Sequence, residues 1–294
     1  MFDLRYHVAS LTAVFVALVI GILVGVGLSG KGFVNDAERA NLTRQIADLQ
    51  TERDAARQSL GSADRVERAL GEFADTAYPV VVPDRLKGSR VAVLFVGPID
   101  RGASFAIGKA VHDAGGTVVR TRSIGVPVDM KAVRGALQRQ PALARLGGPE
   151  RLTDLGRALG GELVIGGKTP LWDSLDGIIV QEREGPAAPP ADAVVVIRSA
   201  KPQRGATKAF LAGVYTGLEQ SGAPAVGTEV SGTGSSAIPA FSLAGLSTVD
   251  SIDTAAGRLG LVLLLEGAEP GSYGIEETAG DGVLPPIPPS RSRG

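Results

Sequence analysis

Residues 8–30 read VASLTAVFVALVIGILVGVGLSG and contain no charged side chain. As a helix this run is roughly 35 Å long, enough to cross the hydrocarbon core of a bilayer with some tilt. A cleaved secretory signal is the alternative. Its apolar region is shorter, about 7–15 residues, and follows a basic leader. Here the leader is MFDLRYH, in which Arg5 is offset by Asp3, although Gly27-Leu28-Ser29 would suit a cleavage site. Length favours an uncleaved anchor in the lipid bilayer. The short leader and the long sequence behind it point to a single-pass protein of the cell membrane, with residues 1–7 cytoplasmic and the main domain outside the cytoplasm.

The same run carries a second pattern. Ala9, Ala13, Ala17, Gly21, Gly25 and Ser29 recur every four residues and share one helix face. Small side chains on one ridge let two membrane helices approach closely, and Gly21 to Gly25 is a G-x-x-x-G instance. Ala13, Ala17, Gly21, Gly25 and Ser29 are therefore candidate helix-association residues, against the plainer reading that small residues are common in membrane helices.

Between Val34 and Leu60 there is no Gly or Pro, and charges of both signs are frequent. Leu42, Ile46, Leu49, Ala56 and Leu60 follow the alternating three-and-four spacing of a heptad seam, continued by Ala63 and Leu70, with Arg53 and Glu67 at core positions. The spacing predicts a coiled-coil helix over 34–70; an amphipathic helix packed on its own domain has the same pattern. A pairing stripe that runs into a heptad seam points to a homo-oligomer. It also leaves room for an envelope protein partner bound through the coiled coil.

Gly71 to Asp84 reads as a joint. Beyond it, Arg90–Val96 (RVAVLFV), Thr117–Thr121, Ala193–Ile197, Pro224–Val230 and Leu246–Val249 read as short buried strands. Helical patterns over 104–114, 130–138, 149–159, 207–220 and 254–266 separate them, with Gly115-Gly116 and Gly160-Gly161 as stops. Strands alternating with helices predict a parallel sheet covered on both faces. The expected fold class is α/β: an N-terminal transmembrane helix and coiled-coil stalk, then a Rossmann-like domain over 79–276. Residues 185–190 read as a loop and 280–294 as a disordered, Pro-rich tail.

Composition removes several chemistries. The 294-residue chain has net charge −1, no Cys, two His and two Met. A near-neutral chain lacks the basic footprint of nucleic-acid binding. Without Cys there are no disulfides, thiolate metal sites or Cys nucleophiles. GGELVIGGKT (160–169) resembles a phosphate loop, but the first Gly of G-x-x-x-x-G-K-[ST] falls on Glu162 and a helix precedes it. No G-x-G-x-x-G follows the first strand, so the dinucleotide fingerprint is missing. SGTGSSA (231–237) could cradle an anion but reads more simply as a loop. His112, near a helix end, has no partner at metal spacing and no G-x-S-x-G elbow beside it. Asp250 and Asp253 stand just before a helix start, where capping is favoured over binding a hard cation. No enzyme and no cofactor is expected from these residues.

The two ends of the chain, taken together, carry a resemblance. FDLRYHVASLTAVFVALVIGILVGVG (2–27) resembles the start of the actinobacterial copper transporter family, the relatives of mycobacterial copper transport protein B. LSTVDSIDTAAGRLGLVLLLEG (246–267), followed by Gly271-Ser272-Tyr273-Gly274, resembles that family's C-terminal signature, with Ser247, Thr248, Asp250, Asp253, Gly257, Tyr273 and Gly274 as its motif residues. The resemblance extends to about Ile275. It implies an envelope protein with a role in copper homeostasis or efflux, and copper as the only metal to consider. Related proteins are linked to septal wall assembly and daughter-cell separation, so a non-enzymatic envelope scaffold is the other function it implies. Cu(I) favours Cys and Met and Cu(II) favours His, and this chain offers few of either.

Overall fold

A computed structural model describes residues 4–29 and 36–288. The chain divides into two compact units, residues 1–69 and 70–294. In the first, α1 (Leu4–Ser29) is a continuous helix, and its Tyr6–Gly27 stretch has a mean hydropathy of 2.6. The length and composition of α1 suit a membrane span. The helix α2 (Asp36–Val81) follows. Its heptad apolar residues Leu42, Ile46, Leu49, Ala56 and Leu60 are all solvent-exposed in the single chain. Residues 1–3, 30–35 and 289–294 lie outside the described residues. These include the last residue of the expected span, the first of the expected stalk, and the end of the expected tail.

The second unit is built on one seven-stranded sheet in the order β3-β2-β1-β4-β5-β6-β7. Its strands are β1 (Arg90–Val96), β2 (Thr117–Ile124), β3 (Val180–Glu184), β4 (Ala193–Arg198), β5 (Ala225–Thr228), β6 (Ser247–Val249) and β7 (Ser272–Tyr273). Every pairing is parallel except that of β2 with β3. β1 is buried on both sides, which is why the six residues after Arg90 form an unbroken apolar run instead of an alternation. Ala92, Leu94 and Val96 pack into one core, with helices α4 (Met130–Gln138), α5 (Leu152–Ile165), α6 (Pro170–Ser174), α7 (Gly205–Glu219) and α8 (Ile238–Leu243). Val91, Val93 and Phe95 pack into the other, with α3 (Arg101–Asp113), α9 (Ala255–Glu266) and Tyr78 and Val82 at the end of α2. The expected sheet covered on both faces is present.

Four expectations are corrected. Gly160 and Gly161 do not stop a helix, because α5 continues to Ile165 and is capped by Gly166. Gly156 and Gly160 of α5 instead face Gly213 and Gly217 of α7. A Cβ on any of these four would meet the opposite helix's backbone at 2.1–2.4 Å, so the pair packs at a distance only glycine allows. The stretch from Gly71 to Asp84 is not irregular: α2 runs through Pro79 to Val81, and Tyr78 and Val82 at its end are buried in the second core. β3 is an additional strand, antiparallel at the sheet edge, so the sheet is mostly and not wholly parallel. Buried Arg122 braces it from β2, donating through Nη1 to Thr121 O and Glu184 O and through Nη2 to Gly185 O. Residues 281–288, expected in the tail, lie against the domain: Leu284 packs on the second core and Pro288 O accepts from Arg85. Arg85 also forms a buried ion pair with Glu266 at 2.7 Å.

Candidate functional site

In an open parallel sheet, ligands bind beyond the carboxyl ends of the strands, where the strand order reverses. Here that point lies between β1 and β4. It is filled. Gly97, at φ +107°, follows β1, and a Cβ there would lie 2.8 Å from Ala200 Cβ and N and from Ser199 Oγ. Ser199 N and Ala200 N both donate to Val96 O. The loops after β1 and β4 thus close on each other at this point.

The residues expected to form the family motif lie farther along the sheet, in β6 and β7 and in the segments that follow them. Asp250, fully buried at the end of β6, accepts from Ile275 N at 2.8 Å through Oδ1 and from Glu276 N at 3.1 Å through Oδ2. Its own N–H donates to Tyr273 O, joining β6 to β7. Gly274 stands against it with φ +143°, and a Cβ there would lie 2.2 Å from the Asp250 carboxyl. Only a glycine lets the chain pass this carboxylate. Asp253 accepts from Ser231 N at 2.8 Å and from Ser231 Oγ at 2.5 Å. Burial opposes its charge, but the Ser231 bonds prevail and hold the carboxyl below its usual range.

The aspartates therefore do not cap α9. Thr254 does, its Oγ1 accepting from Gly257 N at 3.0 Å. Thr248 Oγ1 donates to Ser272 Oγ at 2.9 Å, again across β6 and β7, and Ser247 pairs in register with Val226. Asp250, Asp253 and Gly274 thus act as a latch that ties three loops, 229–237, 250–254 and 274–278, to one another.

Two acids that sequence reading did not single out complete the arrangement. Buried Glu229 accepts from Ser236 Oγ and Ala237 N, each at 2.7 Å. Glu276 accepts from Gly232 N at 3.1 Å. An acid directly after the strand β5 was the available signal for Glu229; its partners are set by the loop's fold. A cavity of about 240 Å³ opens here, lined by Glu229, Thr233, Ser236, Glu276, Glu277 and Thr278. Three carboxyls and three hydroxyls suit a ligand rich in hydrogen-bond donors. Among the described residues, no group of three or more His, Cys, Asp or Glu side chains is placed to hold a metal ion.

The other candidate residues lie in the first unit and not at this site. Ala13, Ala17, Gly21 and Gly25 are exposed along α1, which ends at Ser29. Leu42, Ile46, Leu49, Ala56 and Leu60 lie along α2.

Comparison with known proteins bears on the whole chain. The family described as "Copper transport outer membrane protein, MctB" matches residues 1–284. The protein called copper transporter MctB in Mycobacterium tuberculosis H37Rv is 32% identical over 126 residues, and so is that of Mycobacterium bovis. The one in Mycobacterium leprae is 30% identical over 124 residues. Each alignment covers 42% of this chain and 38% of the relative, so the chain aligns with well under half the length of the curated relatives it matches. The match across residues 1–284 places the chain in the MctB copper transport outer membrane protein family.

Proposed function

We propose that this protein is a single-pass, membrane-anchored component of the cell envelope that supports copper homeostasis as one part of an export assembly, and that it does so without catalysing a reaction. The observation that carries this reading is the family match over residues 1–284 of a chain whose α1 suits a membrane span. In this reading the N-terminus is cytoplasmic and the α/β domain lies outside the cytoplasm. Copies associate through the Ala13, Ala17, Gly21, Gly25 and Ser29 face of α1 and through the Leu42, Ile46, Leu49, Ala56 and Leu60 seam of α2. Copper is the cargo, and its ligands come largely from a partner, because this chain has no Cys, two His and two Met.

The same donor poverty favours a second reading, in which the protein is an envelope scaffold acting in wall assembly or daughter-cell separation through its coiled coil. Cell-associated copper in a deletion strain under copper load separates the two. Accumulation reversed by this chain supports the copper role. Unchanged copper together with a cell-separation defect overturns it in favour of the scaffold.

A further inference from the structure

β3 ends the sheet and pairs with β2 alone, so among the described residues no strand lies along its outer edge. An open edge presents backbone N–H and C=O groups, onto which an extended chain can add as a further strand. A groove of about 540 Å³ lies between β3 and the first turns of α3, lined by Ile99, Arg101, Ser104, Phe105, Glu182 and Glu184. Phe105 is 74% exposed, and Ile99 is half-buried. Glu182 and Glu184 stand two residues apart, so both lie on the face of β3 that borders α3. Both are exposed, and among the described residues neither side chain makes an ion pair or a hydrogen bond. On the opposite face, Arg183 is already paired with Asp173 at 2.8 Å.

The groove therefore sets two unpaired carboxylates and one guanidinium beside an apolar wall. A long cationic side chain suits both parts, its methylene stem lying on Phe105 and Ile99 and its head meeting a carboxylate. Lys or Arg at alternate positions of an added strand would stand opposite Glu182 and Glu184, about 5 Å away. A second copy of β3 is a poor occupant. An antiparallel pairing centred on Arg183 sets Glu182 against Glu184, and one centred on Glu182 sets that residue against itself; like charges directly opposite are destabilising.

We propose that the open edge of β3 captures an extended basic segment of a partner protein, which adds as an eighth strand and places alternate cationic side chains in the groove against Glu182, Glu184 and Phe105. This contact goes beyond the copper role and does not depend on it.

The test is fluorescence anisotropy with the full chain in detergent micelles and a labelled, end-capped peptide that alternates lysine and threonine. The controls are the same peptide with glutamate for lysine, the same peptide with every backbone nitrogen methylated, and lysine amide as a free competing cation. The lysine peptide binds, and each control binds at least tenfold more weakly. Glu182→Gln combined with Glu184→Gln weakens the lysine peptide about tenfold, the joint worth of two exposed ion pairs. Phe105→Ala also weakens it. Thermal stability is unchanged in these variants, because all three side chains are exposed. Absence of binding at millimolar peptide overturns the proposal. So does wild-type affinity in the double glutamine variant, equal binding of the methylated peptide, or lysine amide that competes as well as the peptide. Loss of peptide binding as the chain is concentrated would give the edge to a second copy and overturns it too.

Discussion

Replacing Gly274 by Ala tests whether Asp250 and Gly274 form a structural latch. Gly274 sits at φ +143°, where a side chain costs about 1–3 kcal/mol. The new Cβ would lie 2.2 Å from the Asp250 carboxyl, so that carboxyl has to move. Asp250 then loses its bonds from Ile275 N and Glu276 N, charge-assisted bonds worth about 1.5–3 kcal/mol each. The lower ends of these ranges give a loss of about 4 kcal/mol, a large share of the stability of a domain this size. Urea unfolding of the full chain, followed by fluorescence, measures it cleanly: Trp172 is the only tryptophan, is buried, and belongs to the second unit. Asp250→Asn keeps the shape but turns one acceptor into a donor facing an N–H, and costs about 2 kcal/mol. Because both changes break the same bonds, the double variant is less destabilised than the sum of the two. A Gly274→Ala protein within about 1 kcal/mol of wild type, or strict additivity in the double variant, refutes the latch.

Two further outcomes follow from the second unit. Gly217→Ala puts a Cβ 2.2 Å from Arg157 O and forces α5 and α7 apart, costing about 1–3 kcal/mol. Gly161→Ala, on the same α5 with open space around it, stabilises by about 0.5–1 kcal/mol; equal effects in urea unfolding would contradict the close-packed interface. Burial pushes the Glu162 carboxyl up to about 7, against the N–H bonds of Trp172 and Leu171 that favour its charged form. A carboxyl raised in this way holds its proton more tightly folded than unfolded, so its contribution is full below the ordinary carboxylate range and is lost as pH rises through 7. Stability should therefore fall between pH 4.5 and about 7, and Glu162→Gln should flatten that slope; parallel slopes refute the assignment.

Some of this architecture was legible from local pattern and some was not. β1 and β4 are buried on both faces, so they read as plain apolar runs. β3, VQERE, shows no such run, because an edge strand is half solvated and this one is held by the side chain of Arg122 from its neighbour. Gly160-Gly161 has the composition of a helix stop, yet a glycine also serves where two backbones meet, and only the packing of α5 on α7 distinguishes the uses. Gly71 to Asp84 reads as a joint, whereas α2 continues through Pro79 to Val81, with Tyr78 and Val82 buried. Asp250 and Asp253 are close in sequence to Thr254, so capping was the natural local reading. Their actual partners, Ile275, Glu276 and Ser231, lie more than twenty residues away, and no local spacing points to them.

The account rests on a copper role exercised by associated copies of an anchored chain, so the deciding measurement is cell-associated copper in deletion cells under copper load. The cells carry either the wild-type chain or Leu49→Asp at equal expression. Leu49 is exposed on α2 and belongs to the proposed seam, so the aspartate leaves the α/β domain intact and, in the proposed pairing, places like charges against each other between copies. The account predicts that the wild-type chain returns copper to its normal level and that Leu49→Asp does not. Full rescue by Leu49→Asp, or no rescue by the wild-type chain, would contradict it.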